Sequence, residues 1–332
     1  MKVALFSTKT YDREYFELLN TNGTHQLAFF ETSLTEHTAR LTTGFEGVCV
    51  FVNDKIDEPT LQTLAGNGVK VIALRCAGFN NVDIKTAKRL GIKVVRVPAY
   101  SPQGVAEHAV ALILTLNRKI HKAYNRTREN NFSLEKLMGF NLHNKTVGVI
   151  GTGKIGNAFC QIMLGFGCKV LAFDPVESSE LKNLGVLYQP IENILSQSDI
   201  ISIHCPLGKT TRHMFDEKSF AQMKQGAMLI NTSRGAIINT TSAIEALRSG
   251  KLGYLGIDTY EQEENLFYKD LSESIVRDET FNELIGFHNV LVTAHQGFFT
   301  HEAMSEIVRV TLNNFSDFES GAPLKNEVSD TG

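Results

Sequence analysis

Three reactive side chains stand a few residues past apolar runs of strand character. Arg234 follows Met228–Asn231 and precedes Gly235, Glu263 comes after Tyr254–Ile257 and Asp258, and His295 follows Val290-Leu291-Val292-Thr293-Ala294. Open parallel sheets bind ligands at the carboxyl ends of their strands, so these are the positions where chemistry is expected. An imidazole is the simplest proton donor near neutral pH for an oxygen that is acquiring charge. A carboxylate beside it orients the ring and favours its charged form, a part open to Glu263. Arginine carries a planar fork that matches a carboxylate with two hydrogen bonds. The set therefore suits a 2-oxo acid held by Arg234 while His295 protonates its carbonyl oxygen, and no metal is needed. Singly, each residue has a plainer reading. An arginine after a strand is more often a surface ion pair, Glu263 sits in an acidic cluster with Glu261 and Glu264, and a histidine is more often an ordinary hydrogen-bonding group. Only their joint placement argues for catalysis.

Such a reaction requires a hydride source, and the stretch from Thr146 to Asp174 offers one. A short apolar run, Val147-Gly148-Val149-Ile150, reaches Gly151-Thr152-Gly153-Lys154-Ile155-Gly156. Ile155, Ala158, Phe159, Ile162, Met163 and Phe166 then share one face of a 3.6-period helix. Gly165 and Gly167 end it, and a second apolar run, Val170–Phe173, stops at Asp174. Strand, glycine turn, helix, strand and acid make up the dinucleotide-binding unit. Gly151 makes the tight turn, Gly153 lets the backbone approach a pyrophosphate, and Gly156 lets helix and strand pack closely. The helix N-terminus offers N–H groups to the phosphates. Asp174, 18 positions past Gly156, is placed to accept the adenosine ribose hydroxyls. Its charge repels a 2′-phosphate, so NAD is expected rather than NADP.

The rest of the chain supplies a scaffold for these residues. Five apolar runs, Val3–Phe6, Leu27–Phe30, Val48–Val52, Val69–Leu74 and Val94–Val97, alternate with helix-compatible segments near 11–20, 34–41, 57–65 and 83–90. Continuous apolar strands alternating with helices predict a parallel sheet covered on both faces. Ser101-Pro102 opens a connecting helix along Val105, Ala109, Leu112 and Leu116. A polar stretch, Lys119–Asn144, is expected to add surface helix or a subunit contact. After Asp174 the alternation resumes, with helices near 190–196, 216–224 and 242–249. Glu261–His288 reads as a charged, irregular loop. Thr300 caps a last helix, and a polar, loose tail is expected from Gly321.

At 332 residues, 42% hydrophobic and 21% charged, the chain has the composition of a globular protein of about two domains. A formal charge of −3 gives no case for nucleic acid, and no basic run suggests a membrane surface. The N-terminal apolar run is too short for a signal peptide, and no apolar segment is long enough to span a bilayer. Five scattered cysteines with no CxxC pair indicate buried thiols in a reducing, cytoplasmic setting.

Together these motifs resemble the D-isomer-specific 2-hydroxy-acid dehydrogenases. The resemblance is carried by Ile150–Gly156, Asn231-Thr232-Ser233-Arg234-Gly235, Asp258-Thr259-Tyr260-Glu261-Gln262-Glu263 and Thr293-Ala294-His295-Gln296. Arg75–Asp83, Pro98-Ala99-Tyr100-Ser101-Pro102 and His204-Cys205-Pro206-Leu207 look most like the NAD-dependent fermentative D-lactate subgroup, and the likeness covers essentially the whole chain. It implies that Arg234 binds the substrate carboxylate, His295 is the acid/base and Glu263 its partner. Ala77 and Gly78 would offer N–H groups to the same carboxylate, and Tyr100, Phe51 and Phe298 would line the substrate site. Gly151, Gly153, Lys154, Ile155, Gly156, Asp174, Cys205, Pro206, Thr232, Ser233, Arg234 and Asp258 would contact NAD, Asp258 near the nicotinamide amide. The likeness further implies a Rossmann NAD domain, 101–298, inserted in a flavodoxin-like substrate domain, 1–100 and 299–332, which closes over it. A homodimer or homotetramer reducing pyruvate to D-lactate is expected. Two other activities are compatible with the same motifs: a dehydrogenase for bulkier 2-oxo acids such as 2-oxoisocaproate or phenylpyruvate, and, more remotely, an NAD(H)-sensing protein of the co-repressor type. Two positions depart from the family pattern: Thr259 stands where valine is usual, and Gly297 where alanine is.

Overall fold

A computed structural model describes residues 1–328. The chain forms two compact α/β units, Met1–Ser101 with the chain from Phe299 onward, and Pro102–Phe298.

The first unit holds a five-stranded sheet of β1 (Lys2–Leu5), β2 (Gln26–Phe29), β3 (Gly47–Val50), β4 (Val71–Leu74) and β5 (Lys93–Arg96). All pairs are parallel and the order is β2-β1-β3-β4-β5, the flavodoxin-like arrangement. Successive side chains point to opposite faces, so Val48, Val50, Ile72 and Leu74 fill one core while Cys49, Val71, Ala73 and Val95 fill the other. The second core is closed by Phe16 and by Val308, Leu312 and Phe315 of the helix His301–Ser320. Phe315 is wholly buried, and burial of such a ring contributes about 1.5–3 kcal/mol.

The second unit carries β6 (Thr146–Ile150), β7 (Lys169–Phe173), β8 (Leu187–Tyr188), β9 (Ile200–Ile203), β10 (Ala227–Asn231), β11 (Leu252–Ile257) and β12 (Val290–Val292). The order is β12-β11-β10-β9-β6-β7-β8, all parallel. Counted from β6 this is the Rossmann order with one strand added at the far edge. Its faces are covered alike: Ile200, Met228 and Ile230 pack towards Ala109, Leu112, Ile113 and Met163, whereas Ile201, Ile203 and Leu229 pack towards Phe215, Phe220 and Ile244. Burial on both faces explains why these strands are runs of apolar residues rather than alternations.

Several expected elements differ. No helix forms over 34–41, only a 3-10 turn, Ala39–Thr42, because Thr38 Oγ1 bonds the Ser33 carbonyl at 2.7 Å and receives Thr35 N at 2.8 Å. Such side-chain bonds compete with the helical ladder. Of Lys119–Asn144 only Ile120–Arg128 is helical. The segment read as an irregular loop contains the helix Glu279–Gly286, capped by Asp278 through Phe281 N at 2.9 Å. The tail is not loose up to residue 328. Arg96 N donates to Asn326 O at 3.1 Å and Val328 N to Val94 O at 2.8 Å, which satisfies the outer edge of β5. The last four residues of the tail lie outside the described residues. No described helix is long and apolar enough to cross a membrane.

Thr259 presents a packing anomaly. It is 1% exposed and its Oγ1 has no hydrogen-bond partner among the described residues. It lines a narrow cavity with Leu255, Ile257 and Leu284. An unsatisfied buried hydroxyl costs about 1–3 kcal/mol. The near-isosteric change Thr259→Val should therefore raise the melting temperature or leave it unchanged, as read by thermal unfolding. A marked fall would mean that the hydroxyl has a water partner in the cavity.

Candidate active site

The glycine turn closes the carboxyl end of β6, where β6 and β9 are neighbours although β7 and β8 come between them in sequence. This topological switch point is where open sheets bind nucleotides. Two of the three glycines are required by the fold itself. Gly151 has φ +92°, and a Cβ there would lie 2.6 Å from Cys205 N; a Cβ on Gly156 would lie 2.0 Å from Gly151 O. A Cβ on Gly153 would meet nothing within 4 Å. Nothing inside the protein requires that glycine, and the backbone at the start of the helix Lys154–Gly165 is open to the close approach of a ligand. Lys154 is exposed and Ile155 half-buried beside it.

The walls of this crevice are tied together. Ser233 Oγ donates to Cys205 O at 2.6 Å, and Pro206 follows in the loop after β9. Burial pushes the Cys205 thiol up to about 11 and His204 down to about 3, so neither brings charge to the crevice. Thr232 Oγ1 is buried with no partner among the described residues, a polar atom suited to a ligand's hydrogen bond. Asp174 Oδ2 accepts Thr152 N at 2.6 Å and its Oδ1 accepts Val176 N at 2.8 Å. The acid thus fixes the glycine turn, beside the end of β7. These residues fit a dinucleotide. Asp174→Asn keeps the shape and removes the charge; kcat/KM with NADPH relative to NADH should rise by about tenfold or more. An unchanged ratio would refute the discriminating role of Asp174.

Arg234, Glu263 and His295 follow β10, β11 and β12, three adjacent strands whose ends are in register through Asn231, Ile257 and Val292. Asn231, fully buried, sends Nδ2 to Arg234 O at 2.8 Å and accepts Ser233 N at 3.0 Å. Arg234 Nη1 donates to Ser233 O at 2.7 Å, leaving the rest of the fork for a ligand. A Cβ on Gly235 would lie 2.1 Å from the Tyr260 carbonyl carbon, so glycine lets this loop press against the next. In that next loop Glu263 accepts Tyr260 N through Oε2 at 3.0 Å and meets His295 Nδ1 through Oε1 at 3.0 Å. The pair is largely enclosed, His295 being 17% and Glu263 23% exposed at the side chain.

His295 has φ +53°, a left-handed conformation that a non-glycine residue adopts only when its surroundings hold it there. They do so through Asp258. His295 N donates to Asp258 O at 2.8 Å, and Gln296 N and Gly297 N donate to its carboxylate at 2.9 and 2.8 Å. Thr293 Oγ1 donates to the same group at 2.5 Å, and Tyr268 OH to His295 O at 3.2 Å. Burial pushes Asp258 up, but hydrogen bonds from His108 and Thr293, the charge of His108 and the Gly297 amide together hold it below the usual carboxylate range. Asp258, expected beside the nicotinamide amide, accepts four hydrogen bonds from the segment Thr293–Gly297. His108 and Tyr268 were not foreseen, because neither adjoins a motif.

In the first unit, Ala77 O accepts Arg96 Nη1 at 2.8 Å and Gly78 O accepts Cys76 Sγ at 3.2 Å. The N–H groups of Ala77 and Gly78 meet no backbone acceptor among the described residues. Phe51 lies under the Arg75 guanidinium, 4.8 Å from ring centre to Cζ, and Tyr100 is half-buried. Phe298, in the second unit, is buried. No group of acids, histidines and cysteines able to hold a metal occurs among the described residues.

Residues 110–297 match the family model described as D-isomer specific 2-hydroxyacid dehydrogenase, NAD binding domain. The chain is 52% identical over 328 residues to D-lactate dehydrogenase of Escherichia coli (strain K12), covering 99% of this chain and 100% of that one. The apo structure of the Escherichia coli enzyme superposes with a TM-score of 0.92 at 51% identity, covering 99% of this chain and 100% of that chain. A structure from the identification of the pyruvate reductase of Chlamydomonas reinhardtii gives 0.94 at 40% identity, covering 98% of each.

Proposed function

Because the chain belongs to the D-isomer specific 2-hydroxyacid dehydrogenase family and is an NAD-dependent oxidoreductase, we propose that it reduces pyruvate to D-lactate. The observation that carries the catalytic assignment is the Glu263–His295 contact at 3.0 Å on a loop held in a left-handed turn. Glu263 accepts a hydrogen bond from Nδ1–H, which leaves Nε2 of His295 to give a proton to the substrate oxygen in reduction and to remove it in oxidation. Arg234, already oriented by Ser233 O, grips the substrate carboxylate and polarises the carbonyl beside it. Bound NADH supplies the hydride. Gly151, Gly153, Lys154, Ile155, Gly156, Asp174, Cys205, Pro206, Thr232, Ser233, Arg234 and Asp258 are assigned to the cofactor, and Ala77, Gly78, Phe51, Tyr100 and Phe298 to the substrate.

Steady-state kinetics with pyruvate, 2-oxoisocaproate and phenylpyruvate, with chiral analysis of the product, test this assignment. Pyruvate should give the highest kcat/KM and the D isomer. A preference for the bulkier acids would move the enzyme to the neighbouring specificity, and an L product would overturn the assignment.

The working form is a homodimer or homotetramer. Supporting it, Phe132, Leu134 and Met138 are 73%, 83% and 87% exposed on the surface stretch after the helix Ile120–Arg128, more apolar surface than an isolated unit favours. All five cysteines are free and buried, which suits a reducing cytoplasm.

A further inference from the structure

His108 stands on the helix Pro102–Arg118, its side chain 16% exposed, and reaches the support of the catalytic loop. Its Nε2 lies 3.0 Å from Thr293 Oγ1 and 3.3 Å from Asp258 Oδ1. The protons in this triangle can be assigned. Asp258 as a carboxylate only accepts, and the single hydroxyl proton of Thr293 goes to Asp258 Oδ1 at 2.5 Å. Thr293 oxygen is then an acceptor towards the imidazole, so Nε2 of His108 must carry a proton.

Three successive N–H groups, those of His295, Gln296 and Gly297, end on Asp258. The direction in which Asp258 points therefore sets the direction in which the His295 backbone turns. Gly297 makes room for the arrangement: a Cβ there would lie 2.9 Å from Asp258 Oδ2 and 3.3 Å from His108 Cδ2.

We propose that His108 is a positioning residue for proton transfer by His295. Its Nε2–H, acting through Thr293 and Asp258, locks the left-handed turn that aims the catalytic imidazole. This rests on the reading of His295 as the acid/base.

The test compares His108→Phe, His108→Gln and Thr293→Val in the full-length enzyme. The Phe variant should lose about 10- to 100-fold in kcat, the scale of a misplaced reacting group. Its NADH affinity, followed by cofactor fluorescence, should stay near wild type, and the isotope effect with deuterated NADH should grow. Glutamine can set an amide N–H near the Nε2 position and should recover most of the loss. Thr293→Val deletes the shared oxygen and should reproduce the Phe result, which carries the test if the Phe variant does not fold. Wild-type turnover in both His108→Phe and Thr293→Val, or a Gln variant as impaired as the Phe variant, would overturn the proposal. His295→Ala run alongside separates the two levels: turnover retained there removes the acid/base reading itself, whereas turnover lost there but kept in the His108 variants removes only the positioning role.

Discussion

Replacing His295 with alanine should lower kcat for pyruvate reduction by about 10²–10⁴-fold, the usual contribution of a positioned acid/base. NADH binding should hardly change, because the glycine turn and the walls formed by Cys205 and Ser233 lie at other strand ends. The loss belongs to the chemical step, so single-turnover oxidation of enzyme-bound NADH should slow as much as the steady state does. Glu263→Gln should cost less, since an amide can still accept from Nδ1 but carries no charge to favour imidazolium. If Glu263 acts only through His295, the double variant should turn over no more slowly than His295→Ala alone. Near-wild-type turnover in His295→Ala would remove the residue from the reaction. An additive double variant would give Glu263 a separate role.

The parts legible in sequence were those that depend on local pattern. Ile200, Met228 and Ile230 point to one face and Ile201 and Leu229 to the other, yet both faces are buried, so each strand announced itself as an apolar run. Gly151 and Gly156 are readable because their spacing reflects backbone constraints within one turn, and Gly153 only because it completes the pattern. What escaped depends on contacts between distant segments. His108 is 185 positions from Thr293, and it sits between Glu107 and Ala109 in an apolar helix where nothing local marks it. The left-handed turn at His295 is equally hard to read, since histidine's modest preference for positive φ does not single out one position and the conformation is held by Asp258. The stretch 322–328 looks polar and unstructured until the free edge of β5 is seen beside it. The helix near 34–41 failed for the opposite reason: its composition allowed a helix, and the hydroxyl of Thr38 captured the backbone first.

Arg234→Leu should cost about 10²–10⁴-fold in kcat/KM for pyruvate, the loss of two charge-assisted hydrogen bonds of about 1.5–3 kcal/mol each. Lysine should rescue poorly, because a single ammonium cannot reproduce the fork that Ser233 O orients through Nη1. A large loss alone would not identify the partner, since Arg234 O also anchors Asn231 and a disturbed loop would slow any substrate. The substrate can be varied as well. Pyruvamide has nearly the shape of pyruvate without its charge, so the wild-type enzyme should discriminate strongly between the two. If the guanidinium grips the carboxylate, that discrimination should collapse in Arg234→Leu, because removing either partner already removes the interaction. A variant that is slow yet still prefers pyruvate over pyruvamide by the wild-type factor would mean that the carboxylate is bound elsewhere. The backbone N–H groups of Ala77 and Gly78 would then be the first residues to examine.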